Sequence, residues 1–387
     1  VSVAAHQWCG ALGKQAVCQS VVSLHAVIDA ASMPLTWRLY PPKEWADPDD
    51  PCRAESGMPE RIGHREKWRL ALDMIDQVRS WHLRDRVVVA NAGYGQIHGF
   101  RDALAERGVD YVIAVRGGLN AHPGHAVPEA PERVGGAVRP AQPRYRTLAR
   151  SLKDLVLERG RTALRRCTWR QGSRGALRGR FLVMEVRPAG VAARRAALTR
   201  AGGRPAGDGV LPVETLIAGW PPHEEVPTDY WLSSLPADIV SRHLARWAKI
   251  RWRTEHDYRE PKRGLGLDRY EGRTCRGWYH HVTLVSTAQT FLTLRRLDPD
   301  RRRSESVPGP GRVPGGAAVL DRRDRRRGLR GAGRDDGGAH GRDLVPVSDW
   351  GRRAGTSRPG LRPRRGQALL PRLLRVPPAK GPLPLPV

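Results

Sequence analysis

The sequence predicts an α/β protein, on three observations: short apolar runs of strand length, segments with apolar residues at helical spacing, and their alternation along the first 120 residues. Val17 to Ile28, rich in Val, Ser and Leu, suits a strand, and Leu35 to Tyr40 suits another. Arg65 to Trp81 carries Trp68, Leu72, Ile75 and Val78 at helical spacing. Val87 to Ala90 is the short, wholly apolar run of a strand buried on both faces. A glycine-containing turn, a helix from about Ile97 to Arg107 and the strand Tyr111 to Val115 follow. Strand, helix, strand in that order implies parallel neighbours in one sheet.

Gly117 to about Arg144 reads as loop. Thr168 to Val186 and Val213 to Trp231 are strand-rich, the first with several arginines expected at the surface. Ile239 to about Pro261 is the clearest helical segment, and Trp278 to Leu294 a second apolar helix.

Composition narrows the partner. The 387 residues hold 67 Lys+Arg against 39 Asp+Glu, a formal net charge of +28 and a pI near 11.2. A chain this basic suits a polyanion, nucleic acid first. A membrane is the rival, but no apolar run approaches the roughly 18 residues of a span. The N-terminus has no basic segment followed by an apolar one, so no export signal is read there. Cys9, Cys18, Cys52, Cys167 and Cys275 form no CxxC pair, which suits free thiols in a reducing cytoplasm and gives no zinc pattern.

Character changes near Leu294. From Arg295 to Val387 the chain has no Ile, Asn, Phe, Tyr, Cys or Met and a single Lys, Lys380. A tail so poor in large apolar residues cannot offset its ordering entropy, so disorder is expected. Arg, Gly, Pro and Ala are residues of GC-rich codons, which points to a frameshifted reading; a genuine Arg-rich nucleic-acid-binding tail is the alternative.

The helix near Arg246 to Lys262 carries Val240, Leu244, Trp247, Ile250, Thr254, Tyr258 and Pro261 as one mostly apolar stripe. Beside it Arg251, Glu255, Arg259 and Lys262 form a second stripe, one carboxylate among three cations. Periodicity alone favours a solvated face with i,i+4 ion pairs.

The motifs say more. Arg251-x3-Glu255-x6-Lys262, with Tyr258-Arg259 between, resembles the signature around the catalytic glutamate of DDE-type bacterial insertion-sequence transposases, the DDE superfamily endonucleases. Further likeness runs through Gly264 to Asp268, Tyr270 to Arg273, Gly277-Trp278 and His281 to Val285. Ser2-Val3 with Gln7 to Gly10, Gly13-Lys14 and Cys18-Gln19 resembles the stretch after the family's first catalytic aspartate, and Asn91 to Gly95 the turn holding the second. Thr168 to Gly175, Arg187 to Ala189 and Thr228 to Ser233 resemble the insertion before the glutamate.

That resemblance implies an RNase H-like mixed sheet flanked by helices. Residues 1–116 would be the first part of the core, its first strand missing, and 117–235 a loop and β-rich insertion. Residues 236–294 would be the helical part with the glutamate, and 295–387 the low-complexity tail. It implies a DNA transposase in which carboxylates hold Mg²⁺ or Mn²⁺ for phosphoryl transfer at transposon ends. The ancestral site would comprise Glu255 as metal ligand, Asn91 at the position of the second aspartate, Arg251, Arg259 and Lys262 on phosphate, and Tyr258 as helper. Partners would be double-stranded transposon-end DNA and a second copy in a synaptic complex, in a bacterial cytoplasm at the nucleoid.

Departures from the pattern make cleavage an activity the chain is expected to lack. The first aspartate would precede Val1. Asn91 keeps an acceptor oxygen but loses the charge that offsets dehydration of the metal. Pro261, where the family has leucine, would break the glutamate helix, and Ala248 stands where tyrosine is common. A non-catalytic DNA-binding remnant and an Arg-rich RNA-binding protein are the alternatives. Gly93-x-Gly95-x3-Gly99 lacks the spacing and the acidic residue of a dinucleotide-binding turn, and His280-His281 suits packing or DNA contact better than metal.

Overall fold

The computed structural model describes residues 3–9, 14–45, 47, 49, 51–83, 87–129, 142–172, 175–199, 208–298 and 347–349. The first part comprises β1 (Ala5–Cys9), β2 (Lys14–Cys18), β3 (Val21–Val27), β4 (Ser32–Leu39), α1 (Pro51–Glu55), α2 (Lys67–Ser80), β5 (Val87–Ala90), α3 (Ala92–Gly95), α4 (His98–Glu106) and β6 (Tyr111–Val115). Then come β7 (Asn120–Pro123), β8 (Arg150–Ser151), α5 (Leu152–Arg159), β9 (Arg165–Gly172), β10 (Gly175–Pro188), α6 (Val191–Thr199), β11 (Glu214–Gly219) and β12 (Asp229–Ser233). The chain continues with α7 (Ser241–Asp257), α8 (Arg259–Arg263), α9 (Cys275–Leu297) and β13 (Val347–Asp349).

β1 and β2 form a separate hairpin. The main sheet runs β4-β3-β13-β5-β6-β12-β11-β10-β7-β8, with β9 paired to β10. β5 and β6 are parallel, as their connection through α4 requires, and the neighbours from β6 onward are antiparallel. The mixed α/β architecture expected from the sequence, a mixed sheet flanked by helices, is present. Of the tail, Val347–Asp349 lies between β3 and β5, parallel to the first and antiparallel to the second. The rest of the tail, from residue 299, lies outside the described residues, as do Ser2, Gly10, Gly13, Ser173 and Arg174 of the resembling stretches.

Alternation along β5 divides the core. Val88 and Ala90 face α2 and α4, where they pack with Leu72, Met74, Ile75, Phe100 and Leu104. Val87 and Val89 face α7, where they pack with Leu244, Ala245, Ala248 and Ile250. The apolar run was legible as a buried strand because both of its faces are covered.

Three boundaries differ from expectation. Val17 to Ile28 is not one strand: it breaks at Gln19-Ser20, where β2 leaves for its hairpin and β3 enters the main sheet. The stretch 117–144 expected as loop contains β7, which pairs with the end of β10. The segment Ile239 to Pro261 is two helices. α7 stops at Asp257 because Pro261 has no N–H for the Asp257 carbonyl and its ring would crowd that group. Pro261 instead sits in the first turn of α8, where an amide hydrogen has no intrahelical acceptor. α9 begins at Cys275 because the Thr274 hydroxyl caps it, accepting from Gly277 N at 3.1 Å.

Candidate active site

Asn91 follows β5 directly, with extended backbone, and caps α3: its side-chain oxygen accepts from Gly93 N at 2.9 Å. The turn is pressed against β6. A β-carbon on Gly95 would lie 2.0 Å from the Ala114 carbonyl oxygen, so only glycine fits there. Arg101 of α4 donates to the Gly95 carbonyl and pairs with Glu214 of β11, Nε to Oε2 at 3.0 Å, both side chains almost wholly buried. Asn91 is held firmly, and its side-chain oxygen is engaged by backbone.

Glu255 lies in the last turn of α7, and Arg251 one turn earlier donates from Nη2 to its Oε1 at 2.8 Å. Both are partly exposed. Arg251 Nη1 and the Thr254 hydroxyl are buried with no hydrogen-bond partner among the described residues. The better-buried carboxylate here is Asp257, which the motif passed over. Its Oδ2 accepts from Ser32 N at 2.8 Å, Ser32 Oγ at 3.0 Å and Arg253 Nε at 2.9 Å, and its Oδ1 meets His256 Nδ1 at 3.0 Å. Asp257 therefore pins the end of α7 to the start of β4.

Tyr258, in the break between α7 and α8, is buried, its ring 5.9 Å from Trp37 and 6.1 Å from His25. His25, on β3, is enclosed and meets Ser23 Oγ at 3.0 Å through Nε2. Burial pushes its pKa down to about 4, against the opposing pull of Asp257. Lys262 lies on α8 with its Nζ 4.9 Å from the centre of the Tyr258 ring, and Arg259 begins the same helix exposed. The break places Arg259 and Lys262 on a different helix from Arg251 and Glu255, so the expected single stripe is interrupted. His281 Nε2 meets the Gly266 carbonyl at 3.1 Å, in keeping with packing.

The neighbouring surface was only partly foreseen. The register of β9 against β10 shifts between Leu177 and Arg178, and Trp169 is the extra residue. That bulge turns Arg170 toward α7, where its guanidinium lies 3.7 Å from the centre of the Trp252 ring. Arg253 approaches the same ring at 5.6 Å. The arginines of this strand were legible; their alignment with Trp252 depends on the bulge.

These donors do not fit a site for two divalent ions. Among the described residues no three His, Cys, Asp or Glu side chains are gathered to hold a metal. Asn91 offers a neutral oxygen that already accepts from Gly93, Glu255 is engaged by a guanidinium, and Asp257 carries four polar contacts.

A mixed sheet with helices on both faces is the α/β class that the sequence predicted, with Asn91 in the turn after β5 and Glu255 near the end of α7. Residues 1–176 are similar to the family described as DDE superfamily endonuclease, a match that supports a DDE-type, transposase-like protein. The match includes Asn91 and ends at the start of β10, short of Arg251, Glu255, Tyr258, Arg259 and Lys262. No curated protein matches the chain. Among the described residues no helix is long and apolar enough to cross a membrane.

Proposed function

We propose that this protein binds the duplex DNA of transposon ends and does not itself carry out the metal-dependent strand cleavage of DDE transposases. The observation that carries the reading is the state of the two family-type positions: Asn91 is a helix cap, and Glu255 is one half of an i,i+4 ion pair. Removing the charge of one ligand and covering another leaves too little anionic oxygen to strip water from Mg²⁺. The family match supports a DNA substrate, and the net charge of +28 supports a tight, salt-sensitive grip on its backbone. A paired, synaptic arrangement of two copies follows from the same reading.

The test combines binding and cleavage. Full-length protein should retard a transposon-end duplex at low salt, with affinity falling by orders of magnitude between about 50 and 200 mM. Neither Mg²⁺ nor Mn²⁺ should produce nicking or joining, and Asn91→Asp alone should not restore it. Metal-dependent cleavage by the unaltered chain, abolished by Glu255→Ala, would overturn the proposal.

A further inference from the structure

We infer that the groove between the start of β9 and the first turn of α7 is a docking site for the phosphodiester backbone of duplex DNA, separate from the Glu255 end of that helix. The inference rests on the DNA-binding reading above and names where one part of the duplex is held.

The groove encloses about 390 Å³ and is lined by Arg165, Arg166 and Thr168 from β9 and Val240, Ser241 and Arg242 from the entry to α7. Arg165, Arg166 and Arg242 are all exposed, and none of them forms an ion pair among the described residues. On the α2–α4 face, Arg65 pairs with Asp73, Arg69 with Glu66 and Arg107 with Asp76. Three uncompensated guanidiniums around one groove repel one another, and a polyanion removes that repulsion. The Thr168 and Ser241 hydroxyls add donors of the kind that phosphate oxygens accept.

The groove lies at one end of α7 and Glu255 near the other. From Arg242 to Glu255 α7 rises roughly 1.5 Å per residue, placing the groove about 20 Å from Glu255. Arg170 on Trp252 stands along that path. At about 3.4 Å per base pair, a duplex laid along α7 would span roughly six base pairs between the two ends. A small free anion would use the groove alone; the net charge of +28 over the whole chain favours an extended polyanion.

The experiment uses the full chain with Arg165→Ala, Arg166→Ala and Arg242→Ala combined, and a duplex of about three turns titrated from roughly 50 to 200 mM salt. Three lost phosphate contacts should lower the slope of log affinity against log salt by about 2.7. The triple lysine variant should keep the wild-type slope. Arg65→Ala, Arg69→Ala and Arg107→Ala combined, the matched control on the opposite face, should keep it as well. Wild-type binding with an unchanged slope in the triple alanine variant, folded by circular dichroism, would overturn the groove and leave DNA binding standing. Absence of wild-type binding at low salt would overturn both. Tighter binding of duplex RNA, with the same loss of slope, would overturn the assignment to DNA.

Discussion

Arg101 and Glu214 form a buried ion pair that ties α4 to β11, Nε 3.1 Å from Oε1 and 3.0 Å from Oε2, while the same guanidinium holds the Gly95 carbonyl. The pair thus joins the turn carrying Asn91 to β11. Removing one partner leaves the other charged and buried. Arg101→Met or Glu214→Gln should cost about 3–5 kcal/mol in urea unfolding. The double variant Arg101→Met/Glu214→Leu should recover part of that loss, since no uncompensated charge remains. Equal losses in single and double variants would show that packing, not charge, accounts for the cost.

Gly95→Ala should destabilise by about 1–3 kcal/mol or more, because its added carbon would meet the Ala114 carbonyl and, at 2.8 Å, Ile113 Cγ2. Gly118→Ala is the control, with nothing within 4 Å of the added carbon. Thermal melts of the two variants separate a general glycine effect from this close approach.

The two acids that end α7 should behave oppositely to their ranking by motif. Glu255→Ala removes a partly exposed i,i+4 pair and should change stability by under about 1 kcal/mol. Asp257→Ala removes the contacts to Ser32 and Arg253 and should cost about 2–3 kcal/mol. Chemical unfolding of the two single variants, compared at one pH, checks the order.

His25 contributes to acid lability. Its folded pKa, about 4, lies below the ordinary value of 6.5, so the unfolded chain takes up the proton first. Its contribution is complete above pH about 6.5 and is lost as pH falls toward 4, amounting to about 3 kcal/mol. His25→Gln should flatten the stability profile across that window. A profile with the wild-type slope between pH 6.5 and 4.5 would assign the lability to other groups.

Much of the frame was legible. β5 and β6 have the bounds read from their apolar runs, and α2 and α4 lie within the segments marked by helical spacing. Such signals are local: an element covered on one or both faces must repeat its apolar residues at its own period. Breaks were harder. Pro261 announced the fault in the glutamate helix, but the burial of Tyr258 at the parting depends on Trp37 and His25, residues far away in sequence. Asp257 gave no signal, because its principal partner, Ser32, is brought to it by the packing of α7 on the β3–β4 hairpin.

The sequence by itself determined the alternation of strands and helices, the strongly basic balance, the placement of Asn91 after a buried strand and of Glu255 on a basic helix. Those properties depend on residue type and spacing along a few turns. Only the tertiary structure decided that the Asn91 oxygen caps α3, that Asp257 rather than Glu255 anchors α7, and that a bulge aligns Arg170 with Trp252. A polar group takes whichever partner packing brings within hydrogen-bond reach, and short-range pattern does not specify that partner.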